Sequence, residues 1–432
     1  MRSFLFILLI ISFSSFAQSI AECKERFDKY LNLKNSLSGS VVFEKNSISL
    51  INLNGKKEFT VYEDEIPLIA SYLEHFSVQN QVNLYQLKGT KRLSKFQRDS
   101  IKFQVDTLLK HREEMAKVRV AKNNKPLAGY RIALDPGHFS SNIIDSKVEG
   151  KFLNFVNYDT PKQDTIKLVE GQLTFLTAQI LKSMLEEQGA KVFLTRNAQN
   201  TTCFNVPYYY WYNKKRTATL DSLLKINEIT KEKYEEYMDM NKEQFFWNFF
   251  RDYELVARAT KINSFNPDLT VILHYNVDEK NAPWVKATQK DFTMCFISGA
   301  FVKQDLKKTN NKLHFLRLLL TKQIDRSESL SQHTVKALSK NLNIAIAKPN
   351  DAEYLSEKGI KSSHEGVFCR NLILTRYVNS PLVYGESLYQ DNIKESSWLN
   401  SSNYVAYGYK VPERIFSVAK SYEEAVLKYF SK

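Results

Sequence analysis

Residues 131–138 read RIALDPGH, a short apolar strand closed by an Asp-Pro-Gly turn that presents a histidine. Such a turn stops a strand abruptly and leaves the next side chain at the carboxyl edge of a sheet, where α/β proteins place their chemistry. The chain from Ala128 onward repeats this unit. Periodicity predicts strands over 131–134, 191–194, 269–273, 292–298, 371–375 and 381–384, and helices over 172–187, 253–264, 330–341 and 414–430. Alternation of this kind predicts an α/β fold with a largely parallel central sheet flanked by helices on both faces.

Two segments interrupt the alternation, 140–168 and about 197–252. The second carries YYYWY at 208–212 and FFWNFF at 245–250. Such aromatic density could build a platform for sugar rings, but packing of a helical insertion onto the domain is its more common use. The 432 residues exceed what one core usually fills. Residues 18–127 look different from the rest: an alternating stretch over 41–62 around Asn54-Gly55 signals a hairpin, and helical spacing follows over 67–76 and 96–118. They are expected to form a small accessory α+β module, joined through a polar linker at 122–126 to a catalytic domain spanning 128–432.

The first 17 residues combine Arg2, an apolar run over 4–11 and small residues before a cut after Ala17, which is the pattern of a signal peptide. Glu22, charged where a lipoprotein signal needs a small residue, argues against lipidation of Cys23. No later stretch reaches the roughly 18 apolar residues of a membrane span. The expected product is exported, periplasmic or extracellular, with no transmembrane segment. Removal of Arg2 lowers the formal charge from +14 to +13, a surplus suited to an anionic matrix such as cell wall, nucleic acid or lipid headgroups, which reports association and not chemistry. The positive charge is scattered and lacks a basic block beside stacking aromatics, so no nucleic-acid partner is expected. Cys23, Cys203, Cys295 and Cys369 permit disulfides in that compartment, although Cys295, within FTMCFIS, reads equally well as a buried thiol.

His138 and His274 both follow apolar strands, the second in LTVILHYN. Neighbouring parallel strands end a few Å apart, so two such histidines can reach one ion. Glu170 precedes the helical GQLTFLTAQILKSMLEEQG and stands where a helix dipole favours a carboxylate. Two imidazoles and a carboxylate make the ligand set of an open catalytic zinc, with a position left for water or a carbonyl. Hydrolysis also needs a carboxylate to shuttle the proton. Glu386, in PLVYGESLYQDN, is the candidate, because it too follows an apolar strand.

These residues resemble the zinc-dependent N-acetylmuramoyl-L-alanine amidases whose domain begins with a DPGH strand. DPGH stands at Asp135 to His138, and Glu170 is followed 19 residues later by Gly189 and then KVFLTR. Arg258, Asn263, Asp268, His274 and Asn276 reproduce the family's central pattern, while Pro381, Glu386 and Asn392 keep the spacing of its closing segment. The resemblance covers residues from about 128 to the end. It implies Zn2+ held by His138, Glu170 and His274, with Glu386 as general base and acid. The implied reaction is hydrolysis of the amide between N-acetylmuramic acid and L-alanine of the peptidoglycan stem peptide.

The chain departs from the family at Phe139-Ser140-Ser141, where Gly-Gly is usual, and at Ile262, Tyr275, Tyr384 and Ser387-Leu388-Tyr389. No ligand or base candidate is removed, but the groove is reshaped. Asp135 and Asn276 could orient the histidines; Asp135 could equally be a turn residue. Arg370 with Asn371 could meet a substrate carboxylate, although a structural ion pair is the more common role. A second class remains open: an inactive or gated amidase-like scaffold at the cell wall, with a regulatory protein acting on the 197–252 insertion.

Overall fold

The computed structural model describes residues 19–120, 125–156, 165–281 and 285–431. The signal-peptide expectation and most of the linker fall outside them. The central sheet has eight strands. Its order is Gly359–Lys361, Val367–Arg370, Phe292–Ser298, Leu382–Tyr389, Leu269–Asn276, Arg131–Pro136, Lys191–Leu194, with Ala345–Ile346 also on Phe292–Ser298. The last four strands of that order are mutually parallel, so their carboxyl ends share one edge. Phe292–Ser298 runs antiparallel to Leu382–Tyr389, which makes the sheet mixed.

Both faces of the sheet are covered, which is why Phe292–Ser298 and Leu269–Asn276 read as apolar runs and not as alternation. One face packs Glu170–Glu187, Gln323–Leu342 and Glu413–Phe430 around Ile132, Leu134, Val271 and Leu273. The last helix turns Ile415, Val418, Ala419, Tyr422 and Val426 inward at three- and four-residue spacing. Tyr422 comes so close that a Cβ on Gly385 would lie 1.9 Å from its hydroxyl, so only glycine fits before Glu386. The other face packs Arg251–Phe265 and Ile373–Tyr377 against Ala133, Ile272 and Leu382.

Three strand expectations shift, one of them 269–273, which runs on to Asn276 and takes His274 inside the strand. The expected strand over 371–375 is a helix, Ile373–Tyr377, and the strand is the preceding Val367–Arg370. A short apolar run cannot be assigned by periodicity alone, and Thr375 tips it by accepting the Leu372 N–H and donating to the Arg370 carbonyl. The strand expected over 381–384 extends through Tyr389, so Glu386 lies within it and pairs in register with His274.

The N-terminal segment holds a meander of Val41–Glu44, Ser47–Ile51 and Lys57–Tyr62, with Gly55 left-handed at φ 76° in the expected turn. Its α-helices are the unforeseen Ile20–Arg26, Ile66–His75, the unforeseen Val78–Lys88, and Lys95–Val120. Among the described residues it builds one core with the rest of the chain: Phe27, Leu31, Ile69 and Leu73 cluster with Phe301, Phe315, Leu319 and Cys369. Arg26 donates to the Leu319 carbonyl at 2.8 Å, and the Tyr30 hydroxyl to Glu328 at 2.6 Å. All four cysteines are buried free thiols, so no disulfide forms among them. No helix among the described residues is long and apolar enough to cross a membrane.

Candidate metal centre and catalytic groove

The strand from Arg131 ends in a turn tied to its neighbour by the Gly137 N–H, which donates to the Leu273 carbonyl at 2.9 Å. A Cβ on Gly137 would lie 2.2 Å from Nε2 of His274, so the turn must be glycine for the His274 ring to sit against it. His138 follows with a left-handed backbone, φ 53°. Beneath the turn, Arg258 donates to the Pro136 carbonyl at 3.0 Å and pairs with Glu254 at 2.8 Å. Arg196 donates to the carbonyl of Gly171 at the start of the Glu170 helix. Two buried guanidiniums thus tie the turn and the helix start to one frame.

Glu170 is the first residue of its helix and is buried. One carboxylate oxygen lies 2.9 Å from Nδ1 of His274 and accepts the Tyr275 N–H at 3.2 Å. The other lies 3.5 Å from Nε2 of His138 and accepts from Gln390 at 3.3 Å. One ligand atom from each of His138, Glu170 and His274 falls within 4.8 Å of the others. Burial alone would raise the Glu170 carboxyl, but His138 and His274 outweigh it and hold it at about 2. The donor set therefore fits a divalent ion of the zinc type: two imidazoles and an ionised carboxylate converging from three chain segments.

Sequence reasoning missed Glu149. Its buried carboxylate lies 3.0 Å from Nδ1 of His138 and accepts the N–H groups of Phe139, at 3.2 Å, and Ser140, at 2.9 Å. That contact turns Nε2 of His138 toward Glu170. Although burial opposes it, the His138 bond and the backbone donors bring Glu149 down to about 2. Its position eleven residues beyond His138, in an irregular segment, gave no periodic signal.

Glu386 sits beside the cluster, its Cα in register with that of His274. Burial raises its carboxyl above the usual range; His274 opposes this and Glu170 adds to it. Tyr384, on the same strand, stacks on the His274 ring at 4.5 Å with planes 7° apart.

The remaining candidates lie elsewhere than expected. Asp135 contacts neither histidine: it accepts from Thr195 and faces Arg258 at 3.5 Å. Asn276 donates to the Tyr354 hydroxyl at 2.9 Å. Arg370 forms no ion pair among the described residues; its guanidinium packs 4.9 Å from the ring centroids of both Phe296 and Tyr354. Asn371 is engaged by Arg376 at 2.6 Å. The aromatics of the 197–252 insertion mostly pack on one another, and Phe139 joins them 6.0 Å from Phe246 and 6.2 Å from Tyr208.

The fold and this site define an α/β protein with a candidate mononuclear metal centre at the carboxyl edge of a mixed sheet. Residues 132–411 match the family described as N-acetylmuramoyl-L-alanine amidase. That is more than half of the chain, which therefore belongs to this amidase family. No curated protein matches it. Similar solved structures include the CwlD amidase from Clostridioides difficile in complex with the GerS lipoprotein, at 16% identity over 70% of this chain and 98% of that one, TM-score 0.38. The apo form of the N-acetylmuramyl-L-alanine amidase Ami1 from Mycobacterium abscessus is 13% identical over 70% and 99%, TM-score 0.37. The catalytic domain of CwlV, an N-acetylmuramoyl-L-alanine amidase from Bacillus (Paenibacillus) polymyxa, is 11% identical over 70% and 98%, TM-score 0.36.

Proposed function

We propose that this protein is an exported, zinc-dependent peptidoglycan amidase that hydrolyses the amide between N-acetylmuramic acid and L-alanine. The observation that carries the reading is the convergence of His138, Glu170 and His274 within 4.8 Å, with Glu386 in register beside His274, in a chain of the amidase family. His138, Glu170 and His274 would hold the ion. When bound, it supplies Lewis acidity that polarises a carbonyl and makes water more acidic. Glu149 orients His138, and Tyr384 and Gly137 orient His274.

Glu386 takes the proton of the attacking water and returns it to the leaving L-alanyl amine. Burial raises its carboxyl, which makes its carboxylate a stronger base for the proton of the attacking water. In this reading residues 18–127 are the accessory module of a catalytic domain spanning 128–432, and residues 1–17 direct export to the periplasm or the exterior. A gated scaffold is the second reading; it draws on the packing of Phe139, next to His138, into the insertion.

Purified 18–432, loaded with zinc, is expected to release L-alanyl peptides from muropeptides and to stop on chelation. Intact muropeptides after incubation with confirmed zinc-loaded protein would defeat the proposal, and a rise in activity on deleting the insertion would favour gating. Glu386→Gln is expected to abolish turnover while leaving zinc bound.

A further inference from the structure

Arg370 ends the strand Val367–Arg370, which pairs with Phe292–Ser298, the neighbour of the Glu386 strand. Side chains alternate across a strand, so Arg370 shares a face with Phe368, which clusters with Phe296 and Tyr384. A continuous row follows: His274 stacks on Tyr384 at 4.5 Å, Tyr384 meets Phe296 at 5.8 Å, and Arg370 lies 4.9 Å from Phe296. Tyr354 flanks the guanidinium on another side, its hydroxyl held by Asn276. The rings fix the plane of the guanidinium without using its N–H donors. Arg370 is half-buried, and no carboxylate forms an ion pair with it among the described residues, unlike the buried Arg258 or the half-buried Arg414.

A guanidinium held on the sheet face that carries Glu386, and without an ion-pair partner among the described residues, is a receptor for a carboxylate. If the amidase reading holds, the carboxyl of N-acetylmuramic acid is consumed in the scissile amide, so remaining carboxylates belong to the peptide. An extended peptide advances about 3.4 Å per residue, which puts the first few residues beyond the scissile bond alongside this row. We propose that Arg370 anchors a carboxylate of the stem peptide and sets the preference of the enzyme for acidic over amidated peptides. The proposal rests on the amidase reading for its substrate.

The test is calorimetric binding of L-alanyl-γ-D-glutamyl-L-lysine amide, its C-terminal carboxyl blocked and its glutamyl α-carboxyl either free or as the carboxamide, to the zinc-loaded full-length mature chain. Wild type is expected to bind the free acid at least tenfold more tightly than the carboxamide, and Arg370→Gln to bind both alike. Arg370→Lys, which keeps the charge but not the planar fork, is expected to retain part of the preference and serves if the glutamine variant does not fold. Equal binding of the two peptides by wild type, no binding of either, or a preference that survives in Arg370→Gln would overturn the proposal. So would an equal fall in kcat on acid and amidated muropeptides with binding unchanged, since that would place Arg370 in service of Glu386. Muropeptide cleavage by wild type decides the amidase reading separately: cleavage without discrimination removes only the role of Arg370, and absence of cleavage removes the parent reading whatever the peptides do.

Discussion

Gly137 and His274 are packed so closely that a Cβ on the glycine would lie 2.2 Å from Nε2 of the imidazole. The Asp-Pro-Gly turn therefore both ends a strand and forms the wall against which the second histidine rests. Gly137→Ala must push the ring away from Tyr384 and Glu170. Zinc affinity, measured by competition with a chromophoric chelator, is expected to fall by roughly tenfold or more with the circular dichroism spectrum unchanged. Wild-type affinity in this variant would count against His274 as a ligand.

Glu149 is the partner of His138 on the side away from the cluster. Glu149→Gln keeps the shape but loses the charge that complements the imidazole N–H and two backbone donors. Metal affinity is expected to drop by about 10–100-fold, the usual cost of removing such a support. A drop in activity without any change in metal binding would show that Glu149 serves the substrate instead.

Lys88 and Glu65 form an ion pair at 2.9 Å with both side chains at 0% exposure, inside the N-terminal segment. Lys88→Met strands the carboxylate and is expected to destabilise the protein by about 3–5 kcal/mol in urea unfolding. Pairing that change with Glu65→Gln removes the stranded charge and is expected to recover part of the loss. Equal stability of the single and double variants would mean that water reaches Glu65.

Asp291 precedes the strand Phe292–Ser298; burial, with the charge of Glu395 adding to it, lifts its carboxyl from 3.8 to about 7. An acid raised by folding keeps its proton in the native state where the unfolded chain has released it. Stability from this group is therefore full below about pH 3.8 and declines as pH rises to about 7. Asp291→Asn is expected to match wild type in Tm near pH 4 and to exceed it by roughly 2 °C or more at pH 8. A Tm difference independent of pH would show that Asp291 is already ionised in the native state.

The apolar runs before His138 and His274 were enough to place both histidines toward the carboxyl edge of the sheet, although His274 lies inside its strand and not after it, and the helix-start signal placed Glu170. The wrong assignment at 371–375 came from a short run whose state depended on a side-chain cap, the Thr375 hydroxyl, and not on its period. Glu149 was invisible because its contact crosses an irregular loop with no repeat to read. The N-terminal segment shows apolar faces in its text, but a face states only that it is buried. That Leu31 and Leu73 are covered by Phe301 and Phe315 is decided across some 250 residues of chain.

By itself the sequence determined the main sheet strands from Arg131 to Tyr384 other than the one at 367–370, the helices packed on them, the family, and which residue types stand at the sheet edge, because these follow from local periodicity and short motifs. Only the tertiary structure decided that Glu386 lies within its strand in register with His274, that Glu149 steers His138, and that Arg370 packs against two rings with no ion-pair partner among the described residues. Each of these is a relation between segments far apart in the chain. Strand pairing and packing set such relations jointly for all residues involved, and no single stretch encodes them.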